Sequence, residues 1–208
     1  MVDPHLLLVF FSTSVLLALA PGPDILFVLA QAAQQGKRAG LLVTLGLCTG
    51  LLVHTSAVTL GLAAVYAQSG LAFTVLKVGG ALYLAYLAWQ SFKAGAQTGE
   101  AGRVDRLAPA KLYRRGIIMN ITNPKVSIFF LAFLPQFADP AKGRLSLQLL
   151  ELGAFFILAT IVVFGLVSLL AGAVGERFRQ SEKAQKLLNR LAGTVFALLA
   201  VKLVTAQR

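Results

Sequence analysis

The stretch ALAPGPDILFVLA, residues 18–30, places two prolines, a glycine and an aspartate inside the first apolar segment of the chain. Pro21 and Pro23 have no amide hydrogen, and each disfavours helical backbone at the residue before it. Together with Gly22, they predict a helix that stops and restarts within one hydrophobic segment. In a membrane, the freed backbone groups must be bonded by protein or face a water-filled cavity. The stretch therefore predicts a polar site at a broken membrane helix.

The composition of the whole chain is that of a membrane protein. Of its 208 residues, 57% are hydrophobic and 13% are charged, whereas soluble domains have about 25% charged residues. A membrane-spanning helix needs about 20 mostly apolar residues, and uncharged windows such as 39–76 and 152–175 reach that length. Because these runs are continuous and not alternating, they predict an all-α polytopic membrane protein and not a barrel.

Six segments of the sequence are long and apolar enough to span a membrane. The predicted spans are 5–33, 39–66, 70–92, 115–137, 145–173 and 187–206. A polar connector rich in glycine and alanine separates the third span from the fourth, which is typical of a loop between two halves. We therefore predict a first three-helix repeat at 1–92, a cytoplasmic linker at 93–114 and a second three-helix repeat at 115–208.

The two halves resemble each other. Pro23-Asp24 in the first span matches Pro124-Lys125 in the fourth, and a short basic turn and a long apolar helix follow each pair. Because each half has three helices, the second half enters the membrane from the opposite side. The sequence thus predicts two inverted repeats whose first and fourth helices are broken at proline motifs. Secondary transporters with this plan bind substrate near the bilayer midplane.

The distribution of basic residues predicts the orientation. Most of the 19 Lys and Arg residues fall on one predicted side, at Lys37, Arg38, Lys93, Arg103, Arg106, Lys111, Arg114, Arg115, Arg177, Arg179, Lys183, Lys186 and Arg190. Cytoplasmic loops carry such an excess, so both termini are predicted outside the cytoplasm, and the net charge of +11 does not indicate a nucleic-acid partner. Residues 18–20 resemble a signal-peptide cleavage site. Since no Lys or Arg precedes them, we expect the segment to be retained.

Asp24 and Lys125 are the leading candidates for site residues. A charged residue at the centre of a membrane helix costs about 2.5–3.5 kcal/mol on insertion scales, so it is usually paired or functional. At matching positions of inverted repeats, the two charges could face each other across the midplane and bind substrate, and the carboxylate could carry a proton. Two other interpretations stay open. The pair could be a structural salt bridge between the halves, or the prolines could only kink the helix, with Asp24 as its N-cap.

Further polar groups lie near the second break and in the third span. Asn120 and Asn123 precede Pro124, and their amides both donate and accept, which suits a zwitterion. They could equally bond the broken backbone, and both roles are compatible. Lys77 lies about two turns inside the third span, where it either contributes to the site or extends to the interface.

Other chemistry has little support in the sequence. Cys48 is the only cysteine, so a disulfide framework or dithiol relay is excluded, and the GLCTG pattern around it at 46–50 predicts close helix packing. His5 and His54 have no further ligands at metal-binding spacing. No nucleophile–base set is visible, so we predict no enzyme and no cofactor. His54 and Glu151 are weaker candidates for titration, and a hydrogen-bonded histidine is the simpler interpretation of His54.

With PGPD in the first span, KVGGALYLAYLAW in the third and NITNPK…FLPQF in the fourth, the chain resembles the LysE/RhtB family of bacterial amino-acid exporters over nearly its whole length. The resemblance implies export of amino acids or close derivatives across the bacterial inner membrane by proton-coupled antiport. Its implied partners are the substrate, protons and the lipid bilayer. It also implies roles for Pro21, Gly22, Pro23, Asp24, Asn120, Asn123, Pro124 and Lys125.

Several alternatives remain at this stage. A permease for another small solute, without proton coupling, would use the same broken helices. A purely structural membrane subunit would leave the paired breaks and buried charges unexplained. The sequence does not identify the substrate, and it leaves a homodimer open.

Overall fold

The computed structural model describes residues 1–68, 70–95 and 106–205, with no side-chain description for 62–73, 76 and 172–180. Within these ranges the regular structure is helical. The α-helices are α1 (Pro4–Leu19), α2 (Pro23–Gln35), α3 (Lys37–Gln68), α4 (Gly70–Lys93), α5 (Pro109–Thr122), α6 (Pro124–Ile128), α7 (Leu145–Gln180) and α8 (Glu182–Thr205). Short π and 3₁₀ turns follow α6.

The described helices include membrane spans of two kinds. Three continuous segments are long and apolar enough to cross a membrane: Lys37–Gly61, Leu145–Ala171 and Glu182–Thr205. Two bent pairs, Pro4–Leu19 with Pro23–Gln35 and Pro109–Thr122 with Pro124–Phe137, bring the candidates in the described residues to five. A polytopic all-helical membrane protein is thus confirmed. The predicted span 70–92 coincides with α4 but is not among these candidates, so the six-span inverted repeat stays a prediction.

Both broken spans bend at the predicted prolines. The chain turns by 62° between α1 and α2 and by 51° between α5 and the segment Pro124–Phe137, which begins with α6. The cause is local, because a proline nitrogen cannot donate to the carbonyl four residues earlier. Pro21 leaves the carbonyl of Leu17 without its helical partner, and Pro124 does the same to the carbonyl of Asn120.

The sequence predicted that the fourth span extends to residue 137. The chain does so, but its last part is not an α-helix. After α6 the chain forms a π turn at Phe129–Phe133 and a 3₁₀ turn at Leu134–Phe137. Both turns carry phenylalanines that are buried in the core. The ring centroid of Phe129 lies 5.0 Å from that of Phe133 and 5.1 Å from that of Phe156 on α7. This aromatic core fixes the fourth span against the fifth just beyond the second break.

Helices of one predicted half pack mainly on helices of the other. α3 packs on α5 and α7, α1 and α2 both pack on α7, and α4 packs on α8. This packing between the halves agrees with an inverted repeat. The boundaries 1–92, 93–114 and 115–208 stay predictions. α5 begins at Pro109, within the predicted linker. The linker residues 96–105 lie outside the described part of the chain.

The GLCTG pattern at 46–50 makes the close helix contact that it predicts. A Cβ atom built on Gly46 would lie 2.2 Å from the carbonyl oxygen of Tyr113, and one built on Gly116 would lie 2.5 Å from that of Val43. No side chain fits at either glycine, so α3 and α5 cross backbone against backbone. The crossing holds the second break next to α3.

Candidate functional site

The side chain of Lys125 joins the two helix breaks. Lys125 lies in the first turn of α6, at the second break, and its side chain extends to the first break. There its Nζ donates to the carbonyl oxygens of Ala20 (3.3 Å) and Leu17 (3.4 Å). Leu17 is the residue whose carbonyl Pro21 leaves free. The ammonium thus caps the C-terminal end of α1, where the helix dipole favours a positive charge.

Asp24 lies in the first turn of α2 and is 4% exposed. The side chains of Asn123, Asn120, Lys125 and His54 lie near its carboxylate. The structure thus brings together four of the leading site residues that the sequence selected, Asp24 from the first predicted half and Asn120, Asn123 and Lys125 from the second. Among the described residues, no ion pair within 4.0 Å joins Asp24 to Lys125. The two charges share one polar cluster without forming the direct salt bridge of the structural interpretation.

The two helix starts at the breaks are capped differently. The N-cap of α2 is Gly22, and no side chain bonds the first amides of the helix. The interpretation of Asp24 as an N-cap is therefore wrong, since Asp24 lies inside the helix. At α6 the Oδ1 of Asn123 accepts a hydrogen bond from the amide of Lys125 (3.0 Å). Asn123 thus bonds the broken backbone, as expected. The first amides of α2 have no side-chain cap and are available to a ligand.

Three buried polar atoms in this cluster have no hydrogen-bond partner. They are Oδ1 of Asp24, Oδ1 of Asn120 and Nδ2 of Asn123, on side chains no more than 4% exposed. A buried polar group without a partner costs about 1–3 kcal/mol. Such a cluster is poorly arranged for stability alone. It offers two acceptors and one donor that a polar ligand can satisfy.

His54 of α3 supplies a contact that the sequence analysis did not foresee. Its Nε2 lies 3.1 Å from the carbonyl oxygen of Asn120, which loses its α-helical donor at Pro124 and also accepts from the amide of Asn123 (3.1 Å). Because a carbonyl only accepts, Nε2 is the donor in this bond. The simpler interpretation of His54, a hydrogen-bonded histidine, is confirmed. The available signal was the carbonyl four residues before Pro124, because the proline removes its α-helical donor.

Gly50 of α3 makes room for Asn120. A Cβ atom at this glycine would lie 2.7 Å from both Cβ and Oδ1 of Asn120. The sequence pattern predicted a packing surface here but not that it borders the polar cluster. The absent side chain lets an amide stand between two closely packed helices.

The remaining candidates lie apart from this cluster or have other contacts. Lys77 is partly exposed on α4, and the charges acting on Asp24 and Lys125 in the described residues do not include it. Its site role stays a prediction. Glu151 accepts a hydrogen bond from the amide of Val2 (2.9 Å), which ties down the N-terminus. In the described part of the chain, no three acidic, histidine or cysteine residues form a candidate metal site.

Membrane helices that break around one buried, charged and unpartnered cluster define a class of protein, the small helical membrane transporters. Sequence comparison identifies the family within that class. The profile of the LysE type translocators matches residues 15–207, so the chain belongs to this family. Membership in a family of translocators fits the expectation that the protein is not an enzyme.

Relatives in other bacteria match the chain almost end to end. It is 34% identical to an uncharacterized membrane protein of Vibrio cholerae, over 99% of both chains. It is 32% identical to the homoserine/homoserine lactone efflux protein of Salmonella typhimurium, over 95% of both chains. An uncharacterized membrane protein of Bacillus subtilis, YrhP, is 29% identical. No solved structure matches the chain.

Proposed function

We propose that the protein exports amino acids or close derivatives that carry a free amine, in exchange for protons. The observation that carries the proposal is the buried carboxylate of Asp24 at a helix break, beside the unpartnered Oδ1 of Asn120 and Nδ2 of Asn123. A carboxylate in that position attracts an ammonium group, and the neighbouring amides add donors and acceptors for the rest of a small polar molecule.

The names of the relatives support recognition through the amine. The Salmonella protein is named for efflux of both homoserine and homoserine lactone. Both molecules have a primary amine, but only homoserine has a free carboxylate. A site built for both must hold the amine and treat the carboxylate as optional. In this protein Asp24 would bind the ammonium, while Lys125, the amide of Asn123 or the uncapped start of α2 would take the carboxyl end.

The same carboxylate is our proposed proton carrier. When Asp24 is ionised, it binds the substrate ammonium. When it is protonated, the ammonium loses its partner and leaves on the outside of the membrane. Substrate and proton therefore compete for one group. As the two halves rock between their orientations, an outward step with substrate alternates with an inward step with a proton.

Counterflow in proteoliposomes tests the function. Vesicles containing purified protein and excess unlabelled homoserine should accumulate radiolabelled homoserine, homoserine lactone or threonine from outside. They should not accumulate N-acetylhomoserine, which has no ammonium group. For any variant of Asp24 in this assay, the matched control is Glu182→Gln, because Glu182 is an exposed carboxylate that pairs with Lys186. Equal uptake of the acetylated compound would contradict recognition through the amine. Exchange that ignores an imposed pH gradient would favour a permease without proton coupling.

A further inference from the structure

The first helix break is shaped to receive an ammonium group. The carbonyl oxygens of Leu17 and Ala20 both point at one position, which the Nζ of Lys125 occupies. Carbonyl oxygens only accept hydrogen bonds, and these two lie at the negative end of the α1 dipole. The carboxylate of Asp24 adds a negative charge that acts on the same ammonium. We call Leu17 O, Ala20 O and the space between them the carbonyl cradle.

Gly22 keeps the cradle open. Its φ of −175° is extended backbone that any residue adopts, so the conformation does not require glycine. A Cβ atom at this position would lie 3.1 Å from the Nζ of Lys125, which is its nearest neighbour. The missing side chain therefore clears space for the ammonium group itself.

The ammonium of Lys125 is held loosely in the cradle. Its two hydrogen bonds measure 3.3 and 3.4 Å, whereas hydrogen bonds from charged nitrogen donors are typically about 2.7–2.9 Å. No carboxylate pairs with it directly among the described residues. A free amine of better fit can displace a group bound at such distances.

We propose that the carbonyl cradle is a binding subsite for a primary ammonium group, and that Lys125 is a tethered occupant which the substrate amine displaces. The displaced Lys125 is then free to meet the carboxylate of the incoming amino acid. The identity of the displacing amine as substrate rests on the proposed function. The affinity of the cradle for ammonium groups does not, and it can be measured separately.

Thermal unfolding of the purified full-length Lys125→Ala variant tests the cradle directly. A ligand that binds the folded state raises Tm with its concentration. Propylammonium chloride should raise the Tm of Lys125→Ala progressively, and it should raise the Tm of the wild type and of a Lys142→Ala control less, because there it must first displace Lys125. Propanol and sodium chloride at matched concentrations should have no such effect. An equal response of all three proteins would overturn the proposal, and so would a rise with sodium chloride alone, which indicates a site for inorganic cations.

Gly22→Ala gives a second test that does not depend on the folding of Lys125→Ala. In wild-type proteoliposomes, propylammonium should inhibit homoserine counterflow competitively. Gly22→Ala fills part of the cradle, so it should raise the inhibition constant of propylammonium several-fold. An unchanged constant would overturn the proposal. If no amino compound shows counterflow, the proposed function fails, while the unfolding experiment still decides whether the cradle binds ammonium.

Discussion

Lys125 of the fourth span donates a hydrogen bond to the carbonyl of Leu17 in the first span, at a distance of 3.4 Å. That carbonyl lies four residues before a proline, and the second break repeats the arrangement, where His54 bonds the carbonyl of Asn120. An unbonded carbonyl is costly in hydrocarbon. Each break is thus stabilised by a polar side chain from another helix, and these two side chains, Lys125 and His54, also lie near Asp24.

Removing the donor of His54 should destabilise the second break. His54→Phe keeps a ring next to Phe130 but loses the hydrogen bond to the carbonyl of Asn120, which should cost about 0.5–1.5 kcal/mol because that carbonyl keeps the bond from the amide of Asn123. His54→Gln keeps an N–H donor and should lose less. Thermal unfolding in detergent measures both. Equal Tm values for the two variants would contradict a role for the hydrogen bond.

Gly50→Ala should damage the site more than the fold. The new methyl group would lie 2.7 Å from Cβ and Oδ1 of Asn120, a member of the polar cluster. We expect a loss of substrate exchange of about tenfold or more, since small displacements of positioning groups have large effects. The matched control is Gly165→Ala on α7, where a Cβ atom meets nothing within 4 Å. If both variants exchange substrate at the wild-type rate, the space around Asn120 does not matter.

Exchanging the two charges should not restore function. In the double variant Asp24→Lys with Lys125→Asp, the carboxylate at position 125 would face the carbonyls of Leu17 and Ala20 and find no donor there. We therefore expect the swap to be inactive and no more stable than either single variant. A structural salt bridge would tolerate the exchange. Wild-type Tm and transport in the double variant would accordingly refute the cluster described here.

The predicted orientation can be tested by cysteine labelling. Cys48 is buried, and a Cys48→Ala background removes it altogether. A membrane-impermeant maleimide added to whole cells should label Ala141→Cys, in the exposed turn before α7, and should not label Gln97→Cys in the predicted cytoplasmic linker. Strong labelling of position 97 from outside would reverse the orientation.

The parts of the fold that follow local rules were accessible from the sequence. Pro21 and Pro124 break their helices because a proline nitrogen cannot donate, and this rule needs no knowledge of the neighbours. The membrane class followed equally from apolar length and charge. That Asp24 and Lys125 lie in one cluster could be predicted from their matching positions in the two halves alone.

What the sequence did not predict depends on packing between helices. The bond from His54 to Asn120 exists because α3 crosses α5 at glycines, and no local pattern fixes that crossing. The π turn at Phe129–Phe133 forms where rings from other helices fill the core. Packing also decides that Lys125 bonds backbone carbonyls and forms no direct ion pair with Asp24. The carbonyls at the first break are nearer to the ammonium.

The central claim is that Asp24 both binds the substrate amine and carries the coupled proton. The decisive measurement is transport by Asp24→Asn in proteoliposomes, with Glu182→Gln as the control. Asparagine cannot release a proton, so homoserine accumulation driven by a pH gradient should fall to the level of protein-free vesicles, while slow homoserine exchange at zero gradient can persist. If Asp24→Asn drives uphill transport at the wild-type rate with the wild-type pH dependence, another group carries the proton and the account is contradicted.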